Sequence, residues 1–385
     1  MHILYLSYPL SDYGAPHQAM GTFWLARQGI KVTFMAWGNQ NKPSYLEEYP
    51  TIDYQLIPKS RNLFSAFQLF VKLILSFFKI KPDVVYVQGA QQTPFLLWLF
   101  YVKGKTKVIY HTQDYVGPGQ QLFYEWCERF FTRRADWVIS NEINRARFMA
   151  SSYGLKKMPL VIRTSLPSWW IVPQRDVIYR QELLIQLGLE KIENPRLIVA
   201  GGAYRSDRMS WEYVEAFAKL PDNYGLIFNS MPPESLSRQR CEQHLEKLNL
   251  GKTKRVLFIE TLSYLDLLKQ YAACDIGLLL YPNSGVGHFY QAPGRFTEYL
   301  RTGLALISSD FPGLKLLTLE YQLGAVANPY ESMDIVRAIT EVGEISNDEL
   351  EERRQRLINL ALNDLVYEKN AGYVFEKILN LKSDL

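Results

Sequence analysis

Residues 291–313 read QAPGRFTEYLRTGLALISSDFPG. Pro293 suits a first helical turn, where its missing N–H costs nothing. Gly303 falls where a helix C-cap belongs. A helix is therefore predicted over Pro293–Thr302, with LALISS as the strand that follows. Just upstream, DIGLLLY reads as a strand ending near Tyr281, and the loop PNSGVGHFYQA leaves its carboxyl end. This order puts Arg295 and Glu298 in the opening turns of a helix on the side where open parallel sheets bind ligands. The positive helix end and its free amides suit a phosphate. Glu298 could accept two hydrogen bonds from a vicinal diol such as a ribose.

The alternation extends outward from this unit. PRLIVAGGAYRSDRMSWEYVEAFAKLP is again strand, glycine loop and helix, and YGLIFNS, RVLFIE and GAVANP supply further short apolar runs. The first half has the same rhythm: HILYLSY, IKVTFMAW, DVVYVQGA, KVIYHTQDY and ADWVISN are strand candidates, with HQAMGTFWLARQG and QQLFYEWCERFFTRR among the helices between them. Such runs alternating with helices predict parallel sheets covered on both faces. The pattern restarts after TSLPSWWIVPQRD, residues 164–176, read as an interdomain linker. Two doubly wound α/β domains are expected, over residues 1–168 and 178–365, with two helices at the C-terminal end.

Composition bounds the function. A length of 385 residues suits two domains, and 48% hydrophobic with 21% charged residues excludes a disordered chain. A net charge of +4 is too mild for a nucleic-acid binder but is compatible with an anionic ligand or membrane surface. Cys127, Cys241 and Cys274 are odd in number, far apart and free of any CxxC, which argues against a disulfide framework and a zinc site. A reducing cytosol is the natural reading. The start, MHILYLSYPLSDYGAP, reads as a first strand rather than a signal peptide. No Asp-x-Asp, P-loop, GxGxxG or HExxH occurs, so no metal-holding carboxylate pair is indicated. In LFSAFQLFVKLILSFFKIK, Leu63–Lys81, the polar residues Ser65, Gln68, Lys72, Ser76 and Lys79 fall in an arc of roughly 80° at helical spacing. That pattern makes a poor spanning helix. It is expected either to be buried on most sides or to lie in a membrane interface with its lysines toward headgroups.

Other candidates follow strands. In GGAYRSDR, Gly201 and Gly202 let a backbone approach a ligand closely, and Arg205 and Arg208 are basic residues beside it. In YHTQDYVG, His111 or Asp114 could position a hydroxyl or take its proton. SDYGAPH, with Asp12 and His17, is the glycine loop that follows the first strand.

The stretch APGRFTEYLRTGLALISSDFPG resembles the pattern proline-x-lysine-x-x-glutamate-tyrosine-x-x-x-glycine-x-x-x-isoleucine of GT-B fold glycosyltransferases, especially the retaining family 4. LIVAGGAY, LSYLDLLKQYAACDIGLLLYP and the final helices are similar to that family in order, and ADWVISNEINRARFM is so more weakly. The resemblance implies two Rossmann-like domains facing a central cleft, with a last helix, about residues 366–385, crossing back to the first. It implies transfer of a sugar from a UDP- or GDP-sugar to a hydroxyl of a glycan or lipid-linked acceptor, in polysaccharide or glycolipid assembly. No cofactor or metal is implied beyond the donor itself. Glu298 would hold the donor ribose. Arg295, after Pro293, would take the place of the usual lysine beside the diphosphate. Arg208 fits the register of a second basic residue that neutralises the departing diphosphate, with Arg205 as alternative and Gly202 in the same loop. A histidine at the place of His111 touches the donor sugar. Retaining relatives carry a second glutamate eight residues before the first, where this chain has Tyr290. The overall pattern leans to retention. An inverting transferase using His17 or Asp12, a sugar-nucleotide epimerase and a non-catalytic nucleotide-binding scaffold remain the competing expectations.

Overall fold

The computed structural model describes residues 1–13, 19–59, 63–113, 119, 121–251 and 253–379. In chain order the elements are β1 (His2–Ser7), α1 (Met20–Arg27), β2 (Lys31–Trp37), β3 (Ile52–Ile57), α2 (Leu63–Ile80), β4 (Val84–Gln88), α3 (Leu99–Val102), β5 (Lys107–Thr112), α4 (Leu122–Thr132), β6 (Trp137–Ser140), α5 (Ile143–Tyr153) and β7 (Leu160–Val161). They continue with α6 (Val177–Gln186), β8 (Arg196–Ala200), α7 (Ser210–Phe217), β9 (Tyr224–Phe228), α8 (Leu236–Lys247), β10 (Val256–Phe258), α9 (Tyr264–Ala273), β11 (Ile276–Leu279), α10 (Val286–Phe289), α11 (Arg295–Arg301), β12 (Ala305–Ser309), α12 (Pro312–Glu320), β13 (Gly324–Ala327), α13 (Ser332–Gly343), α14 (Asn347–Asn363) and α15 (Tyr367–Leu379). The chain divides into two compact units. The first comprises Met1–Thr164, Gly285–Gly287 and Tyr367–Leu385; the second comprises Ser165–Ser284 and His288–Val366.

Each unit is built on one sheet whose strand pairs are all parallel. The first sheet runs β3-β2-β1-β4-β5-β6-β7 and the second β10-β9-β8-β11-β12-β13. Both orders reverse once, between β1 and β4 and between β8 and β11, and such a reversal opens a crevice at the carboxyl ends of the strands. Two strands escaped the sequence reading. β3, IDYQLI, is an edge strand with a half-exposed middle, so it lacks the continuous apolar run of its neighbours. β7 has only two residues.

In the first unit one sheet face carries an aromatic ladder. Tyr54, Phe34, Tyr5 and Tyr86 occupy paired positions on four adjacent strands. Their rings stack in turn at 5.4, 5.3 and 4.4 Å. Phe375 of α15 lies 6.3 Å from Tyr86 and stacks on Trp24 of α1 at 5.0 Å, so the C-terminal helix covers this ladder. The opposite face packs Leu4, Leu6, Val85, Val87, Val108 and Tyr110 under α2 and α4. α2 buries only one stripe there: Ser65, Leu69, Leu73 and Phe77. It is thus not buried on most sides, because residues four apart share one helix face and the remaining apolar side chains point elsewhere.

The second unit is fastened by a buried ion cluster. Asp275, just before β11, accepts from Arg175 Nη2 and Arg180 Nη2, both at 2.9 Å, and from the backbone N–H of Leu197 on β8 at 2.8 Å. Burial alone would raise its pKa, but Arg180 and Arg175 outweigh that and hold it below the ordinary carboxylate value. Arg175 also donates to the carbonyls of Ala272 and Cys274, so the segment before α6 is bolted to the end of α9. The depressed pKa means that this stabilisation is complete above the ordinary carboxylate pKa and is lost as pH falls from there through the lowered folded value. Asp275→Ala leaves two guanidinium groups without their anion and is expected to cost about 3–5 kcal/mol. Urea unfolding of the second unit's signal measures it; a loss below about 1 kcal/mol would show the cluster to be dispensable.

Candidate functional site

In the second unit the predicted donor residues converge on the strand-order reversal between β8 and β11. Gly201 and Gly202 follow β8 directly, and they are glycines for different reasons. A Cβ on Gly201 would sit 2.5 Å from the Tyr299 hydroxyl and 2.8 Å from Arg295. Gly202 has φ +102°, which side-chain-bearing residues rarely adopt. The loop is held from below: Tyr299 of α11 accepts from the Gly201 N–H at 3.1 Å, and Arg295 Nη1 donates to the Gly201 carbonyl. Arg295 Nη2 donates to the Tyr281 hydroxyl at 3.1 Å.

Tyr281, at the carboxyl end of β11, organises the cations. The Arg208 guanidinium lies over its ring at 4.8 Å and that of Arg295 at 5.9 Å. Burial, then the charge of Arg295, lowers the Arg208 pKa. Two cations held side by side in a half-buried loop want an anion. Arg205 faces a different partner: it grips Asp207 through two bonds of 2.9 Å and is largely exposed. The structure therefore brings Arg208 and not Arg205 to Arg295.

Glu298 is buried on α11, where its Oε1 accepts from the Tyr264 hydroxyl at 3.2 Å. Burial, then Glu298, pushes the Tyr264 pKa well up, so Tyr264 remains a donor. α11 spans Arg295–Arg301, shorter than the sequence predicts: Gly294 is its N-cap, and Pro293 stands before it in a turn that accepts from the Phe296 N–H at 3.1 Å. Gly303, at φ +79°, closes the helix, with the Leu304 N–H returning to the Tyr299 carbonyl at 2.9 Å. Tyr290 follows α10, half-buried, its ring meeting Phe289 edge-on at 5.1 Å. Beside it Gln291 is buried with neither amide atom hydrogen-bonded, a polar pair that costs stability as it stands.

In the first unit His111 lies near the carboxyl end of β5, buried. Its Nδ1 is 2.8 Å from the Tyr86 hydroxyl, while among the described residues Nε2 has no partner. Burial brings its pKa down to about 3, so the ring is neutral near pH 7. Burial also raises the Tyr86 pKa well above normal. The Tyr86 hydroxyl also meets the Tyr5 hydroxyl, so it can donate to either; donation to Nδ1 would put the ring proton on Nε2. In that tautomer His111 is a hydrogen-bond donor toward a ligand. Asp12 caps a loop, its Oδ1 accepting from the Ser44 N–H and hydroxyl, both at 3.0 Å. Asp114 and His17 lie outside the described residues. Among the described residues no group of three or more His, Cys, Asp or Glu could hold a metal ion.

Tyr281, Tyr264, Tyr299, Tyr86 and Gln291 were not singled out from the sequence. Tyr281 stood at a strand end and was the most findable. Tyr264 lies 34 positions before Glu298, and no spacing rule connects them.

Residues 23–162 match the family model for Glycosyltransferase Family 4. No curated protein sequence matches the chain. Among solved structures, HepE of Anabaena, in complex with UDP and glucose, is similar with a TM-score of 0.76 at 16% identity, covering 99% of this chain and 100% of that one. Sucrose-phosphate synthase of Thermosynechococcus elongatus has a TM-score of 0.72 at 16% identity, over 98% and 99%. The lipopolysaccharide outer core galactosyltransferase WaaB, in its apo form, has a TM-score of 0.65 at 14% identity, over 99% and 100%. The fold shared with these is GT-B.

The depressed His111 pKa has a consequence for stability. Between its folded value of about 3 and an unfolded value of about 6.5 the unfolded state binds the extra proton. Stability should therefore fall on acidification through that window, by up to about 1.4 kcal/mol per pH unit. His111→Asn should flatten the slope in pH-dependent urea unfolding. Tyr86→Phe should change the ring's tautomer in a nitrogen-15 correlation spectrum; an unaltered His111 signal would refute the Tyr86 donation.

Proposed function

We propose that this chain, a transferase of GT-B fold with a Glycosyltransferase Family 4 segment at residues 23–162, moves a sugar from a nucleotide-diphosphate donor to an acceptor hydroxyl. The observation that carries the reading is the pairing of Arg208 with Arg295 over the Tyr281 ring, next to a helix that also presents buried Glu298. Glu298, steadied by Tyr264, would take the two ribose hydroxyls. Arg208 would grip the diphosphate, with Arg295 as a fixed positive charge behind it. Gln291 would give its amide to the donor, which accounts for a buried polar group without a partner. As the sugar bond breaks, negative charge grows on the leaving diphosphate, and guanidinium groups already in place stabilise it. They would do so without a divalent ion.

The first unit would hold the acceptor, a glycan or lipid-linked sugar. His111 would donate from Nε2 to a sugar oxygen. Asp114 would stand near the reacting centre, and His17 would be the base if the anomeric configuration inverts. HepE is described with UDP and with UDP-glucose, which supports a uridine donor here. Retention is the stereochemistry we favour, and the anomer of the product, read by proton NMR, decides it. A cytoplasmic location with peripheral membrane contact through residues 63–81 fits a lipid-linked acceptor.

A thermal-shift panel of UDP, GDP, ADP and their sugar conjugates tests the donor site. A ligand at about 100 times its Kd should stabilise the protein by about 2.7 kcal/mol. Arg208→Ala and Glu298→Ala should abolish the response, whereas Arg205→Ala should keep it. Gln291→Leu should weaken it while leaving the unliganded fold no less stable. A panel flat for every nucleotide would sink the reading. Turnover should persist in EDTA; its loss would overturn metal independence.

A further inference from the structure

Buried Glu298 takes its hydrogen bond from a side chain that its own helix does not hold. The donor, Tyr264, is the first residue of α9. A long side chain in a helix lies over the turn that precedes it, and at the first position there is no such turn. The Tyr264 side chain is nevertheless 4% exposed, so neighbours from elsewhere in the second unit set its place. One of them is Trp170, whose ring meets that of Tyr264 edge-on at 6.3 Å and 64°. Trp170 belongs to the stretch read from the sequence as a linker.

That stretch is a built part of the second unit, which begins at Ser165. Ser165, Leu166 and Pro167 are buried. The Trp170 N–H returns to the Pro167 carbonyl at 3.1 Å and closes a turn. Arg301 grips this turn: Nη1 donates to the Pro167 carbonyl at 2.8 Å and Nη2 to the Trp170 carbonyl at 2.7 Å. A planar fork of fixed spacing suits two carbonyls of one turn, and bonds from a charged donor are stronger than neutral ones. Arg301 stands three residues after Glu298 on α11, and residues so spaced lie on one face. The contacts thus close a circuit, from Glu298 along α11 to Arg301, through the turn to the Trp170 ring, and through Tyr264 back to the carboxylate. A guanidinium 6% exposed is a costly way to fasten a loop. Its use is accounted for when the place of that loop matters to Glu298.

We propose that Trp170 is a positioning residue for Glu298: fastened by Arg301, its ring holds Tyr264 where the hydroxyl can orient the carboxylate toward the donor ribose. The inference rests on the donor reading above and assigns that site a support outside α9 and α11. Calorimetric titration with UDP and with 2′,3′-dideoxy-UDP, which lacks both ribose hydroxyls, tests it on the full chain. The parent should prefer UDP by about thirtyfold or more, the worth of hydrogen bonds to a carboxylate. Tyr264→Phe should cut that preference by about tenfold. Trp170→Leu should cut it by about fivefold, and Trp170→Phe, which keeps an aromatic edge, should restore most of it. Arg301→Lys keeps the charge, loses the fork and should resemble Trp170→Leu. Affinity for the dideoxy analogue should stay at the parent's level in all four variants, with circular dichroism unchanged. A Trp170→Leu variant that weakens both ligands alike would show only a structural role, and one that keeps the parent's preference would show none at the ribose; either result overturns the proposal and leaves the donor reading standing. A parent that binds UDP without preferring it removes the ribose role of Glu298, and the proposal with it. A parent that binds neither ligand sinks the uridine-donor reading itself.

Discussion

The guanidinium of Arg295 is the tie on which the second unit's site depends. It fastens α11 to the glycine loop after β8 through the Gly201 carbonyl, and to the end of β11 through the Tyr281 hydroxyl. One residue thereby links the three elements that meet at the strand-order reversal. Its charge then serves a second purpose, because Arg208 shares the Tyr281 ring with it. Like charges so close repel, and burial lowers the Arg208 pKa further. The fold tolerates this local cost because Asp275, Arg175 and Arg180 lock the opposite ends of the same strands. Stability at one end of the sheet permits an electrostatically expectant arrangement at the other.

The first unit divides its labour by face. The face under α1 and α15 holds the aromatic ladder, whose last tyrosine reaches His111 at the β5 end. Its polar groups are chained inward: the Tyr5 hydroxyl donates to Gln88 at 2.6 Å, and Ser7 donates to the same amide oxygen at 3.1 Å. Among the described residues the His111 Nε2 has no partner. The other face is mostly apolar, with Tyr110 and Tyr153 donating to buried Glu128. A soluble helix usually carries charge on its outer side. α2 instead keeps phenylalanines outward and adds lysines among them.

Much of this was legible beforehand, and particular residues show why. The buried strands of both sheets announced themselves as short apolar runs, because a strand covered on both faces has no polar side to display. β3 failed this test because it is an edge. Glu298 and Arg295 could be placed on one helix because a proline and a glycine bracket it within a few residues. Register favours Arg208 but leaves Arg205 as the alternative. The choice came from Asp207, which draws Arg205 outward, and from Tyr281, which lies 73 positions from Arg208.

The sequence by itself determined what depends on neighbours a few positions apart: strand and helix alternation, turn chemistry, the glycine loop and the polarity of each helix. The tertiary structure decided everything that depends on side chains brought from distant strands. It made Tyr281 the platform for two arginines, set Tyr264 on Glu298, gave His111 its tyrosine partner and turned the aromatic side of α2 outward. The physical reason is range. Periodicity and capping act over one or two turns of chain, whereas a buried hydrogen bond or a cation over a ring is defined only once the sheet register has placed its two halves within a few ångströms.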